Sequence, residues 1–181
     1  AFPRPLRLAI PAIATTLQIC LLGTAMGTAA ALLLGFCAAG NLTPNWVHHP
    51  IKIVLGLVRS IPVLILGLLF FLAMGFKLMP GVLAIAIHSM GMLGKLFAEE
   101  SESVDAGVWE AMDSAGANWF QKVRYAIWPH VAPEFCSLTL FRLEMNIRDS
   151  TVLGFIGITT LGFYMENYRR AFDYPSVCTF V

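Results

Sequence analysis

None of the eleven acidic residues in this chain precedes Glu99. Charged residues of either sign make up only 13% of the 181 positions, about half the share of a soluble domain. This scarcity excludes an ordinary water-soluble globule, and the net charge of +1 offers no electrostatic footprint for nucleic acid. The four cysteines (Cys20, Cys37, Cys136, Cys178) show no CxxC spacing. They read as small core residues, not as a disulfide or metal framework. No HExxH, GxSxG or Walker A pattern occurs, so the chain carries neither an intramembrane hydrolase motif nor an ATP site of its own.

What is abundant is apolar sequence: 57% of residues are hydrophobic and the mean hydropathy is +0.73. Residues 12–39 contain no charge, a run of 28, where about 20 suffice to cross a bilayer. That run is too long for a signal peptide, and no small-residue cleavage pattern follows it. Gly23, Gly27, Ala31 and Gly35 give it one small face for close helix packing. Asn41–Asn45 is a turn-rich break. A second span is expected over 51–76, kinked near Arg59 and Pro62. A third runs over 80–97, and a fourth begins near Val131. The last hydrophobic start, 177–181, is too short to cross, so the sequence is expected to end inside a helix.

Between the third and fourth spans lies a polar stretch, 98–130, holding six of the acidic residues between Glu99 and Asp113. Within it, EAMDSAGANWFQKVRYAIWP (110–129) predicts a surface helix. Glu110-Ala111 opens it, Gly116 bends it and Pro129 ends it. Glu99, Glu100, Glu102 and Asp105 read as a solvated helix end, with a cation site as the alternative. His48 and His49 lack the further ligands a metal needs, and His88 with Ser89 reads as a packed intramembrane pair.

The fourth apolar segment, LTLFRLEMNIRDSTVLGFIG (138–157), carries charges at membrane depth, where they mark either a pathway or a paired core. On a helix, Arg142, Asn146 and Asp149 share one face. Glu144 and Arg148 lie on the opposite face in the favourable order for an i,i+4 pair. The Glu144–Arg148 face reads as self-neutralised structure and the other as the lining of a route, Arg142 offering a forked donor to an oxyanion; interhelical hydrogen bonding with subunit packing is the competing reading. Asp149, when ionised, would repel an anion.

The 110–129 spacing resembles the EAA loop of ATP-binding cassette importer permeases: Glu-Ala-Ala, three residues, Gly, nine residues, Ile, one residue, Leu-Pro. Glu110, Ala111, Gly116 and Pro129 fall in register. Met112, Ala126 and Trp128 depart from the pattern. FAEESESVDAGVWEAMDSAGANWFQKVRYAIWPHVAPEF, SLTLFRLEMNIRDSTVLGFIG and TTLQICLLGTAMG are similar to the phosphonate, phosphite and hypophosphite permease subfamily, over roughly residues 15–175. Asp149 and Ile158-Thr159-Thr160-Leu161 depart from it.

The resemblance implies an all-α integral membrane fold, the type I importer permease bundle, with about five core transmembrane helices. Residues 1–181 would form one permease domain, with a coupling helix at about 106–121 inside the cytoplasmic loop 98–130. Residues 41–50 would then be cytoplasmic, and 77–80 and 160–175 external. Glu110, Ala111, Met112, Gly116, Trp119 and Pro129 would couple to an ATPase, Trp109 adding apolar contact. Arg142, Glu144, Asn146 and Arg148 would line the substrate pathway.

The implied function is transport, not catalysis: a bacterial inner-membrane, multi-pass subunit importing phosphonates or related phosphorus oxyanions. It would hold no cofactor or metal, ATP and Mg being bound by ATPase partners. It would also work with an extracytoplasmic solute-binding protein and a second permease copy. Tyr164–Tyr174 is a candidate contact for the binding protein. The alternatives are a permease for another small solute (phosphite, hypophosphite, phosphate or an amino acid), or an ion-gradient-driven transporter or channel. The last would predict inverted repeats, which are not visible.

Overall fold

The computed structural model describes residues 4–75, 77–158, 160–172 and 177–178, without the side chains of 4–7 and Trp109. Helices account for nearly all of them, and there is no strand among the described residues. In chain order these are α1 (Arg4–Ala38), α2 (Asn45–Ser60), α3 (Val63–Met74), α4 (Met79–Glu102), α5 (Ala106–Ser114), α6 (Trp119–Gln121), a π-turn (Lys122–Ile127), α7 (Trp128–Leu153), a 3₁₀ turn (Gly154–Ile156) and α8 (Leu161–Arg170).

Leu8–Ala38 and Met79–Glu102 are long and apolar enough to cross a membrane. Of the five expected core spans, these two qualify singly by length and composition among the described residues, and α2 and α3 qualify as a bent pair if they form one span. α7 has the length, with 26 residues, but carries Arg142, Glu144, Arg148 and Asp149.

The expected second span is two helices. Pro62 disfavours helical geometry at Ile61 and has no N–H to continue the ladder, so α2 stops at Ser60 and Pro62 caps α3. α2 also begins earlier than expected, at Asn45, leaving only a short loop after α1.

The chain divides into two compact units. The first contains residues 1–26, 61–88 and 143–181. Its core is Ile19, Cys20, Val82, Ile85, Leu153 and Ile158. Here the small face of α1 meets α4: a Cβ on Gly23 would stand 2.7 Å from Ile85 Cγ2. α8 packs on the end of α7 backbone to backbone, since a Cβ on Gly162 would strike the Thr151 carbonyl and one on Gly154 the Phe163 amide. Leu161 N–H donates to Thr16 Oγ1 at 3.0 Å. Ile158 and Thr160, from the stretch that departs from the subfamily pattern, are fully buried, and Thr159 lies outside the described residues.

The second unit contains residues 27–60 and 89–142. Its core is Ala31, Leu93, Phe97, Ala126, Ile127, Val131 and Phe135, with Phe97 and Phe135 stacked at 4.0 Å between ring centroids. The small face of α1 works here too: a Cβ on Gly35 would stand 2.8 Å from Phe97 Cβ. The reading of all four cysteines as core residues needs correcting. Cys20 is buried and Cys37 half-buried, but Cys136 and Cys178 are exposed.

Candidate functional site

The loop after α4 builds its helix differently from the expected one. α5 starts at Ala106, and the acid at its N-terminus is Asp105, whose Oδ1 accepts the Gly107 N–H at 2.7 Å. Such a cap satisfies an otherwise orphaned donor. Glu110 therefore sits mid-helix, on the exposed face with Ala111. The single helix expected over 106–121 is instead two helices joined by a turn. α5 closes in a Schellman arrangement: Ala117 N–H donates to the Met112 carbonyl at 3.0 Å and Gly116 N–H to the Asp113 carbonyl at 2.9 Å. That closure puts Gly116 at φ +70°, a region an L side chain enters only at a cost. Asn118 then starts the next helix, its N–H donating to Gln121 Oε1 at 2.8 Å.

Pro129 does not stop a helix. From Trp119 to Leu153 the chain is helical without interruption. The turn before Pro129 is a π-turn, with the Trp128 N–H reaching back to the Val123 carbonyl. Widening the helix there makes room for a ring that would crowd the preceding turn of an α-helix. Lys122 at the start of the π-turn is ion-paired with Asp113 of α5.

The expected coupling residues fall on two sides. Val104, Val108, Met112 and Trp128 pack against the core of the second unit, so Met112 anchors α5 inward. Glu110, Ala111, Gly116 and Pro129 are exposed, as are Trp119 at 41% and Phe120 at 72%. Phe120, not singled out from sequence, is the most exposed large apolar side chain of the loop. The Trp109 side chain lies outside the described residues. Ala126, which stands where the EAA pattern has isoleucine, is buried beside a fully buried Ile127, so the apolar contact is displaced by one position.

On α7 the four expected pathway residues separate. Arg142 is 3% exposed. Its Nε–H donates to Ser89 Oγ at 3.2 Å and its Nη1 to Met92 Sδ at 3.4 Å. Asn146, also buried, donates from Nδ2 to Thr24 Oγ1 at 2.7 Å, and its carbonyl accepts Cys20 Sγ–H at 3.3 Å. Glu144 and Arg148 form the i,i+4 pair at 3.4 Å, both well exposed. Asp149 is half-buried. One face of α7 is thus packed and the other presents a loose ion pair.

In α8, Glu166 is almost fully buried by accessibility. Arg169 grips it with Nε and Nη2, both at 2.7 Å, and Arg170 Nε adds a third bond at 2.8 Å. These two guanidinium groups lower its pKa to about 2. Of the 164–174 stretch, Tyr164 belongs to this helix, while 173–174 lie outside the described residues. No cluster of three or more metal-ligating side chains occurs among the described residues.

Residues 31–181 match the family described as binding-protein-dependent transport system inner membrane components. The chain belongs to that family.

Two relatives are named for phosphorus oxyanions. The phosphite transport system permease protein PtxC of Stutzerimonas stutzeri is 40% identical over 163 residues, covering 90% of this chain and 59% of the relative. The phosphate-import permease protein PhnE of Mycolicibacterium smegmatis is 40% identical over 161 residues, covering 88% of this chain and 30% of the relative. The chain thus spans less than two thirds of either.

The fold is that of the inward-facing MetNI methionine ABC transporter structure, at a TM-score of 0.88 and 17% identity over 99% of this chain and 89% of that one. An amino acid ABC transporter solved with histidines gives 0.75 and 19% over 97% and 90%. The type I importer permease bundle expected from sequence is therefore the fold found.

Proposed function

We propose that this chain is the transmembrane permease of an ATP-driven bacterial importer of phosphonates or related phosphorus oxyanions. The observation that carries the reading is the build of the α5 loop. The short helix α5 is fixed to its own unit by Val108 and Met112 and presents Glu110 and Ala111 outward, while α6 after it presents Trp119 and Phe120. Clustered exposed aromatics beside a rigid helix are what a protein-binding surface requires. An ATPase docked there would hold the ATP and Mg, this chain holding neither. Its closure would displace α5 and switch access across the membrane by coupled rigid-body motion. Membership of a binding-protein-dependent family supports an extracytoplasmic solute-binding partner, and α8 is the candidate contact. A second permease copy completes the path.

The solute class rests on the relatives named for phosphite and phosphate. For the route, the exposed face of α7 is favoured. Arg148 offers forked donors there, and Glu144 beside it keeps the anion from binding too tightly to leave. Arg142 and Asn146 stay in the pathway assignment as the groups that hold α7 in place behind that face.

The test is uptake into vesicles holding the permease, its ATPase and its binding protein, comparing phosphonate, phosphite, hypophosphite and phosphate. ATP-dependent uptake of at least one is expected. Uptake driven by an ion gradient without ATP would overturn the reading.

A further inference from the structure

The acidic run before α5 is not uniformly solvated. Glu99 keeps to its own helix, facing Lys95 at 3.8 Å. Glu102 turns inward. Its Oε1 accepts the Gly40 N–H at 2.6 Å and Lys52 Nζ at 2.7 Å, and its Oε2 accepts Lys52 Nζ at 2.9 Å. One residue earlier, the Ser101 carbonyl accepts Asn41 Nδ2 at 2.8 Å. The last turn of α4 therefore grips both the loop that follows α1 and the middle of α2. All of these residues belong to the same compact unit as α5.

The path from this grip to α5 is short and stiff. Ser103 N–H donates to the Glu99 carbonyl at 3.1 Å, keeping the linker on α4. Val104 packs on the unit's core, and Asp105 caps α5. Lys52 and Glu102 keep 29% and 30% of their side-chain surface exposed. Three charge-assisted bonds converge on this one part-buried carboxylate, and such bonds are stronger than neutral ones. Gly40 fits it closely, since a Cβ there would stand 3.2 Å from Glu102 Oε1.

We propose that Glu102 is a positioning residue for coupling: it locks the end of α4 to α1 and α2, so that a displacement of α5 carries both helices with it. The proposal rests on the reading of α5 as the helix that meets the ATPase. Without the lock, Val108 and Met112 would still hold α5 on the core, but its displacement would pass less directly to the end of α1 and to α2.

The measurement is phosphite moved per ATP hydrolysed by the complete importer in vesicles, a ratio insensitive to how many copies are active. Glu102→Gln, Lys52→Met and Gly40→Val, which crowds the carboxylate without removing it, should each lower the ratio about five-fold or more, while hydrolysis continues. Combining Glu102→Gln with Lys52→Met should do no more than either alone. An unchanged ratio in Glu102→Gln, in a preparation where Gly116→Leu lowers it, overturns the role of Glu102 and leaves the α5 reading standing. An unchanged ratio in Gly116→Leu as well overturns the α5 reading, and Glu102's role with it. Failure of all three variants to assemble, read by size exclusion, makes Glu102 structural only and also overturns the proposal.

Discussion

Arg142 on α7 donates its Nε–H to Ser89 Oγ on α4 at 3.2 Å, with its side chain removed from solvent. A guanidinium placed among apolar helices is tolerated when neighbouring groups take up its protons. The hydroxyl of Ser89, itself fully buried, does part of that. Six residues along the same helix, Arg148 meets the exposed carboxylate of Glu144 at 3.4 Å. One helix thus holds one arginine as structure and offers the other to solvent.

The two arginines should therefore separate in experiment. Ser89→Ala leaves a buried charged donor short of its acceptor, which costs about 1–3 kcal/mol. It should lower the melting temperature of the purified protein. Arg148→Gln breaks an exposed pair worth about 0–1 kcal/mol. It should leave melting unchanged while reducing uptake of the anion. A melting shift from Arg148→Gln equal to that of Ser89→Ala would count against the division.

Glu166 predicts a pH response in α8. Its folded pKa of about 2 lies below the ordinary value of 4.5. The contribution of its bonds to Arg169 and Arg170 is complete above about pH 4.5 and is lost as pH falls from there toward 2. Hydrogen exchange of α8 amides should accelerate across that window, relative to Glu166→Gln measured at the same pH. Parallel profiles for the two proteins would refute the pairing.

Two glycines of different surroundings should respond oppositely to alanine. A Cβ at Gly162 meets the Thr151 carbonyl, so α8 must shift off α7, and overpacking of this kind costs about 1–3 kcal/mol. Gly56 lies inside α2 with nothing within 4 Å of an added Cβ. There alanine should gain about 0.5–1 kcal/mol from helix propensity. Melting temperatures of the two variants check the pair.

Length and apolarity made α1 and α4 readable: the uncharged run in α1 is longer than a bilayer and admits few other structures, and α4 is largely apolar until its last two turns. The register of Glu110, Ala111 and Gly116 located the loop, since a left-handed closing residue selects glycine. The 3.6-residue period sorted α7 into an Arg142–Asn146 face and a Glu144–Arg148 face, but not which of them packs: Arg142, expected to offer its fork to a route, is buried on Ser89. The failures have different causes, and a long-range partner decided one of them. Glu102 looks like its neighbours until Lys52 and Gly40 arrive from 50 and 62 residues away. Pro129 looks like a stop until the preceding helix widens by a π-turn. The kink expected at Pro62 is where the chain divides into α2 and α3, which pass as a span only together. Cys136 was misjudged because apolar context in a membrane chain does not distinguish a core position from an outward one.

The two sides of the α5 loop give the sharpest contrast between anchoring and docking. Met112 packs inward on the cluster that contains Phe97 and Ile127. Phe120, eight residues on, stands 72% exposed. Truncating a partly buried methionine costs less than the 2–5 kcal/mol of a full core position, about 1–2 kcal/mol. Met112→Ala should therefore lower the melting temperature of the permease alone. Phe120→Ala removes mostly exposed surface, so melting of the permease alone should move far less. If the exposed face is where the ATPase sits, the same change removes an aromatic anchor, and such anchors carry about 2 kcal/mol or more of binding energy. Affinity for the ATPase should then fall about thirty-fold in a pull-down titration. Equal affinity for wild type and Phe120→Ala would move the docking surface off this side of the loop, leaving the anchoring role of Met112 intact.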